Sequence, residues 1–484
     1  MNFFVNEAMG IGNSGVEHAQ FYRAKRFEQV NLPYKFIFME LVDNLHEAMD
    51  RWNLTDNQVI SIWEFFVFGE DYAINGLEKR VRPFDATTID STNTTRISNK
   101  ITSSNIRIVR HFLKYPNPKD ENTLLVTSSR VEIYDNESNE RKVMYEELED
   151  PHGDGRFKIQ NIHLYNQENN KRLFFPNLVQ LRRYFINELE RIFDGKNIFI
   201  VDRGEDSEVA IMDDPHRSNN LKVMSVVHAD HLADRDDPKN PFWNNYYEYT
   251  LTHLNKIDRL IVATELQRKD LLIDFPNFDK KIVTIPVGGV NDQRPYHAER
   301  KKHDGLKLVT ISRLASEKHV DLIIHAVSNL HKLGAKVNLD IYGAGGEKEK
   351  LSSLIKENKA EKFIVLKGLT HHAEDVYPKY DAFISASFSE GFGLTYIEAL
   401  NAGLPVITFN ARFGAMEMIK DGYNGYSYEF KREDSGYNIR QLEKGIRKML
   451  KTDIGEMQEA VLESVSNFKD QVIAEKWRNV INEL

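Results

Sequence analysis

The sequence of 484 residues contains no cysteine. Disulfides, thiolate metal sites, iron–sulfur clusters and cysteine nucleophiles are excluded together, and the absence fits a reducing cytoplasm. No stretch approaches the roughly 18 consecutive apolar residues that a membrane helix needs. The start, MNFFVNEAMGIG, lacks the basic leader and long apolar core of a secretory signal. A soluble, unexported protein is expected. Cations are also in deficit, with 64 Lys+Arg against 73 Asp+Glu and a net charge of −9. Wholesale nucleic-acid binding needs a clustered Lys/Arg excess and is not expected. A local basic pocket for one phosphorylated ligand stays open. No repeat of solenoid period is visible.

What is present is a broken α/β alternation. At about 150 residues per domain, the length predicts two or three domains, each able to bury a core. An apolar run at 2–8 leads into Gly10-Ile11-Gly12-Asn13-Ser14-Gly15, a helix-like stretch through Phe27 and a second apolar run at 35–41. Strand, glycine turn, helix, strand is the opening of a parallel sheet. From about Gly69 to Pro176 the pattern changes to short alternating segments such as Ile106-Arg107-Ile108-Val109-Arg110. Turns such as Asp150-Pro151-His152-Gly153-Asp154-Gly155 separate them, and the block reads as an inserted antiparallel meander. Its open edges suit oligomerisation or docking of an extended peptide by strand addition. Within it, ten of the eighteen residues from Thr87 to Ser104 are Ser or Thr, read as an exposed edge strand or loop.

Helical spacing of Leu178, Leu181, Phe185, Leu189 and Ile192 then restores the α/β pattern, with strands expected at 197–201, 222–227 and 259–262. A second α/β unit follows the run Glu299-Arg300-Lys301-Lys302, with strands at 307–312, 337–342, 363–366, 382–386 and 405–409. Ile473, Trp477, Val480, Ile481 and Leu484 form a closing amphipathic helix. The expected organisation is 1–68, a first Rossmann-like part; 69–176, the meander; 177–302, the first domain continued; 303–467, the second domain; and 468–484, the closing helix. Two doubly wound domains then face a cleft.

Four constellations carry chemistry. Ser389-Glu390-Gly391-Phe392-Gly393-Leu394-Thr395-Tyr396-Ile397-Glu398 follows a strand and opens a helix, so the amides near Gly393, Leu394 and Thr395 suit a phosphate. Glu390 and Glu398 can accept hydrogen bonds from two sugars. Ser312-Arg313-Leu314-Ala315-Ser316-Glu317-Lys318 lies at the carboxyl end of the second unit's first strand, where open α/β sheets bind ligands. There Arg313 and Lys318 can hold a diphosphate, one as a planar fork and one as a point charge. Val227-His228-Ala229-Asp230-His231 ends another strand. His228 is read as a ligand contact, with a buried structural role as the alternative. Its His-x-x-His spacing has no third partner for zinc, and Asp234-Arg235-Asp236 before Pro238 is read as a solvated turn. The glycine loop at 10–15, with Glu40 and Asp43 at ribose distance, also fits a dinucleotide enzyme. A glycine turn there is equally needed by any fold that brings a phosphate or sugar to the first helix.

Ser-Arg-Leu-x-x-Glu-Lys at 312–318, the Glu390/Glu398 pair and Gly422-Tyr423-Asn424-Gly425 resemble the retaining family-four glycosyltransferases of the GT-B fold. With Asn13-Ser14-Gly15-Val16-Glu17, the meander, Val227-His228-Ala229-Asp230-His231 and Trp243-Asn244-Asn245-Tyr246-Tyr247, the chain resembles the enzymes that start O-glycosylation of serine-rich repeat adhesins in Gram-positive bacteria, the cargo of the accessory Sec pathway. The resemblance implies that Gly15 and Val16 approach the donor and His228 contacts its sugar. It further implies that Arg313 and Lys318 hold the diphosphate, Leu369 and Thr370 line the uracil pocket, Glu390, Gly391, Phe392 and Gly393 hold the sugar, and Glu398 binds the ribose. Arg313, Lys318, Glu390 and His228 form the expected catalytic group, with no metal or cofactor. The implied reaction moves N-acetylglucosamine from UDP to Ser or Thr of the adhesin before export. UDP-glucose as donor, transfer to wall teichoic acid, or an acceptor-binding helper subunit are the alternatives. A homo-oligomer or a hetero-oligomer with a related subunit is implied, in the cytoplasm and at most peripheral at the inner face of the membrane.

Overall fold

The computed structural model describes residues 1–12, 14–118, 120–149, 157–167, 171–234, 241–291, 304–370 and 372–484. Asn13, the 150–155 turn, Arg235 to Pro238 and the charged run Glu299 to Lys302 lie outside the described residues.

Seven parallel strands form the first sheet, in the spatial order Ile282–Thr284, Arg259–Val262, Leu221–Val227, Asn197–Val201, Asn2–Asn6, Tyr34–Phe38 and Val59–Ser61. The second has six parallel strands, in the order Ile364–Gly368, Val337–Tyr342, Leu306–Ile311, Ala382–Ile384, Val406–Phe409 and Gly425–Tyr428. The sequence pattern missed Val59–Ser61, Ile282–Thr284 and Gly425–Tyr428, all edge strands of three or four residues. Segments that short carry too little period to separate from loops.

Each sheet reverses its strand order once. In the first sheet the reversal lies between Asn2–Asn6 and Asn197–Val201, and in the second between Leu306–Ile311 and Ala382–Ile384. Ligands bind outside the carboxyl ends of strands at such switch points. Glu7, Asp202 and Arg203 emerge at the first, and Ser312, Arg313, Ser385 and Ser387 at the second.

The inserted block is an antiparallel meander of seven strands in chain order, from Phe84–Ile89 to Lys171–Asn177. It is not a separate bead. Its inner face (Ile108, Val131, Ile133, Val143, Ile162) shares one hydrophobic core with Trp63, Phe65, Phe185 and the first sheet. Trp63 meets Tyr145 of the meander at a ring-centroid distance of 4.9 Å. The Ser/Thr-rich stretch is part edge and part core. Phe84–Ile89 is the edge strand, whereas Thr102, Ser103 and Ser104 are buried and hydrogen-bonded, Ser103 to Glu47. Of the stretch read as exposed, these last three hydroxyls are instead buried where the meander joins the first sheet's helices, while Ser91, Thr92 and Thr94 are exposed.

The closing helix, Asp470–Glu483, lies on the first helix, Gly15–Gln29, with Ile473, Trp477, Val480 and Ile481 in one core with Phe4, Phe27 and Phe36. The Tyr22 hydroxyl donates to Asp470 Oδ1 at 2.7 Å. The chain thus leaves the second sheet and ends on the first.

Candidate active site between the two parallel sheets

On the second sheet's side, Gly393 caps the Leu394–Asn401 helix in the left-handed region, at φ 82°. Among the described residues no side chain caps this helix, so its first amides and the positive end of its dipole are left for an anion. Lys318 Nζ contacts Glu390 Oε1, and the Arg313 Nη2 donates to Glu317 Oε1 at 2.9 Å. The two cations differ in setting. Lys318 has 18% of its side chain exposed and Arg313 has 71%. Gly391 can carry no side chain, since a Cβ there would lie 2.4 Å from the backbone oxygen of His228 on the opposing domain. That glycine sets how closely the domains meet.

On the first sheet's side, Ser14 caps the first helix in a capping box with Glu17, its N–H donating to Glu17 Oε2 at 2.7 Å. This presents Gly15 and Val16 at the helix start. The His228 imidazole faces Asp202, Nε2 to Oδ1 at 2.8 Å. The amides of His228 and Ala229 both donate to the Tyr247 hydroxyl at 3.0 Å, which pins the loop that carries the histidine.

Between these sides lies a cavity of about 1580 Å³. Of the residues expected from sequence, Gly15, Val16, His228, Arg313, Lys318, Glu390, Gly391, Phe392, Gly393, Leu394 and Thr395 line it. Leu369, Thr370 and Glu398 are not among its lining residues. Leu369 is exposed just beyond the Ile364–Gly368 edge strand, and Glu398 sits one turn along the helix from Leu394. Surrounding protein pushes the Glu398 carboxyl up to about 7, against a hydrogen bond from the Tyr377 hydroxyl at 3.1 Å. The residue keeps a face open to solvent.

The cavity continues to Trp63, Arg110, Tyr145 and Glu147 at the meander. Asp43, the alternative ribose partner, is taken up there by Arg110, at 2.6 and 3.0 Å. Near the first switch point, Arg182 grips Glu7 through 2.6 and 2.7 Å contacts, and Glu40 lines the wall. Burial and the neighbouring Glu7 raise the Glu40 carboxyl.

His231 faces a different carboxylate from His228. It is fully buried, stacked on Phe413 of the second domain at 5.5 Å, with Asp270 at 3.2 Å from its Nε2. Among the described residues no cluster of three or more His, Cys, Asp or Glu could hold a metal ion.

Sequence reasoning missed Asp202, Arg23 and Gln20. Glu17, Gln20 and Arg23 recur every third residue on the buried side of the first helix. That spacing was legible, but a polar stripe reads as a solvated face. The lined surface therefore joins helix-end amides, a lysine, an exposed arginine, a histidine and carboxylates around a deep cleft. It can bind an anionic, polyhydroxylated ligand and stabilise charge on a departing phosphate.

The profile of the family "Glycosyl transferases group 1" matches residues 292–465. The chain is 31% identical over 462 residues to the GtfA subunit of the UDP-N-acetylglucosamine–peptide N-acetylglucosaminyltransferase of Streptococcus agalactiae, covering 87% of this chain and 86% of that protein. It is 29% identical over 517 residues to the GtfA subunit of Limosilactobacillus reuteri subsp. suis, covering 99% and 98%. The crystal structure of the pneumococcal O-GlcNAc transferase GtfA with UDP and GlcNAc superposes with a TM-score of 0.72 at 26% identity, covering 100% of this chain and 98% of that one. With two doubly wound sheets facing one cleft, the chain belongs to the group 1 glycosyltransferases of the GT-B fold, in the family of the GtfA subunits.

Proposed function

We propose that this glycosyltransferase moves N-acetylglucosamine from UDP-N-acetylglucosamine to Ser or Thr of a serine-rich repeat adhesin, with retention of configuration, in the cytoplasm before export. The observation that carries the reading is the meeting of Lys318, Glu390, the uncapped Leu394–Asn401 helix and His228 on one cavity. The names and coverage of the GtfA relatives support the donor and the peptide acceptor. The domain division proposed is 1–68 with 177–302, the 69–176 meander, 303–467 and the closing 468–484.

In this reading the sugar C1–O bond to UDP breaks while the acceptor hydroxyl forms a new C1–O bond on the same face. The hydroxyl proton passes to the departing phosphate oxygen. Arg313, Lys318 and the amides of Gly393, Leu394 and Thr395 stabilise the developing diphosphate charge, which supports a reaction needing no divalent metal. Gly15 and Val16 approach the donor from the first domain. Glu390, Gly391, Phe392 and His228 hold its sugar, with Leu369 and Thr370 at the uracil and Glu398 at the ribose. Lys318 must exchange its Glu390 contact for the diphosphate, which frees Glu390 for sugar hydroxyls. A related subunit is the proposed partner, as a solved GtfA/B complex is among the similar structures.

The test is product mass after incubation with UDP-N-acetylglucosamine or UDP-glucose and an unglycosylated serine-rich peptide, with polyol phosphate as competing acceptor. Transfer of N-acetylhexosamine to the peptide is expected. Preferential hexose transfer or modification of the polyol would overturn donor or acceptor. Absence of UDP-sugar binding and hydrolysis would make the chain a helper subunit.

A further inference from the structure

The buried side of the first helix holds a polar network that the reaction so far leaves unused. Asp202 follows the Asn197–Val201 strand at the switch point, and its side chain is wholly buried. It receives Gln20 Nε2 at 2.7 Å, Arg23 through Nη1 at 3.1 Å and through Nη2, and His228 Nε2 at 2.8 Å. Asn6 Nδ2 in turn donates to Gln20 Oε1 and to Glu17 Oε1, both at 3.2 Å. The network thus runs from the capping box beside Gly15 to the imidazole. Arg23 is itself fixed between two rings, 4.3 Å above Phe4 and 5.4 Å from Trp477 of the closing helix.

This arrangement decides a hydrogen. Burial by itself would raise the Asp202 carboxyl, but the Arg23 charge and the His228 hydrogen bond outweigh it and hold the group at about 2. An ionised carboxylate only accepts hydrogen bonds, so the ring nitrogen facing it must carry the hydrogen. His228 Nδ1 has no hydrogen-bond partner among the described residues, and the residue lines the cavity.

We propose that Asp202 is a positioning residue for His228: it holds the imidazole as the Nε2–H tautomer and reserves Nδ1 for a donor-sugar hydroxyl. Arg23 and Gln20 hold Asp202 in turn. The role for the sugar rests on the function proposed above, whereas the tautomer does not. A carboxylate behind a histidine is a general way to set ring orientation and tautomer. Here the carboxylate is anchored by the same helix whose first turn approaches the donor. One rigid element thereby sets both contacts from the first domain.

The test is ¹⁵N-histidine NMR of the whole protein, with His228→Gln identifying the His228 signals, together with kinetics. In the parent protein Nε2 should give a protonated and Nδ1 an unprotonated ring-nitrogen shift. The reverse pattern would overturn the proposal without any variant of Asp202 and whatever the donor proves to be. Asp202→Asn can present an amide N–H to the ring, so it should lose the single tautomer. It should lower kcat by about 10- to 100-fold, as loss of an outer partner does at ligating histidines. Donor KM should change little, because the diphosphate is held from the other domain. In the His228→Gln background the Asp202→Asn change should add nothing further. An additive fall in kcat there, or a folded Asp202→Asn protein with unchanged tautomer, would make Asp202 merely structural.

Discussion

Gly391→Ala tests the seam between the two domains. The added Cβ would stand 2.4 Å from the His228 backbone oxygen, 2.9 Å from its carbonyl carbon and 3.0 Å from Ala229 Cα. Ordinary contact begins at 3.4 Å, so about 1 Å must be found. All three atoms are backbone and cannot rotate aside. The easier relief is separation of the domains at the cleft, because each side keeps its own core. A misplacement of about 1 Å between reacting groups costs about 10²-fold in rate. Gly391→Ala should therefore lower kcat by about that factor while the thermal midpoint stays close to the parent's. Initial rates with UDP-N-acetylglucosamine and peptide, beside a thermal melt, measure both. Parent-like turnover would refute the argument that this contact sets the spacing. A collapse of the thermal midpoint would show that the strain is taken up inside a domain and refute the argument for separation.

Arg313→Ala or Lys318→Ala should each lower turnover by ~10²–10³-fold, the scale for loss of one charge-stabilising donor, and steady-state rates with near-normal turnover in both would contradict the diphosphate role. Tyr247→Phe leaves the His228 and Ala229 amides without their acceptor, so urea titration should find a loss of about 1–3 kcal/mol, accompanied by slower transfer. Glu208 is buried with hydroxyl partners and, among the described residues, no cation, and burial raises its carboxyl above 4.5. With a raised acid, the unfolded chain releases its proton first. The parent should then lose stability as pH climbs above 4.5 until the raised folded value is passed. Glu208→Gln should flatten that dependence on the alkaline side of pH 4.5 in denaturant titrations, and an unchanged slope would exclude Glu208 as its source.

Much of the candidate site was legible along the chain because helix-end chemistry is local. Gly393, Leu394 and Thr395 needed only a strand before them and an apolar helix after, and the Arg313 to Lys318 loop needed only its place after the first strand of its sheet. The buried polar partners were hidden for a physical reason. Glu17, Gln20 and Arg23 look like a solvated helix face until Asp202, some 180 residues away, closes over them. The meander was legible as alternating strands, but alternation does not say what its apolar side covers. Only tertiary packing, such as that of Trp63 on Tyr145, makes it part of the first domain's core.

The sequence by itself determined the chemistry available: no thiols, two cations at one strand end, a glycine-opened helix and carboxylates spaced along it. Periodicity and turn residues act over a few positions, so they also determined the two parallel sheets and the inserted antiparallel one. The tertiary structure decided the rest. It set both switch points across one cleft, gave Lys318 to Glu390, and aimed His228 at a carboxylate already paired with Arg23. Those are distances between segments remote in the chain, fixed by how whole sheets and helices pack, and local residue pattern does not encode them.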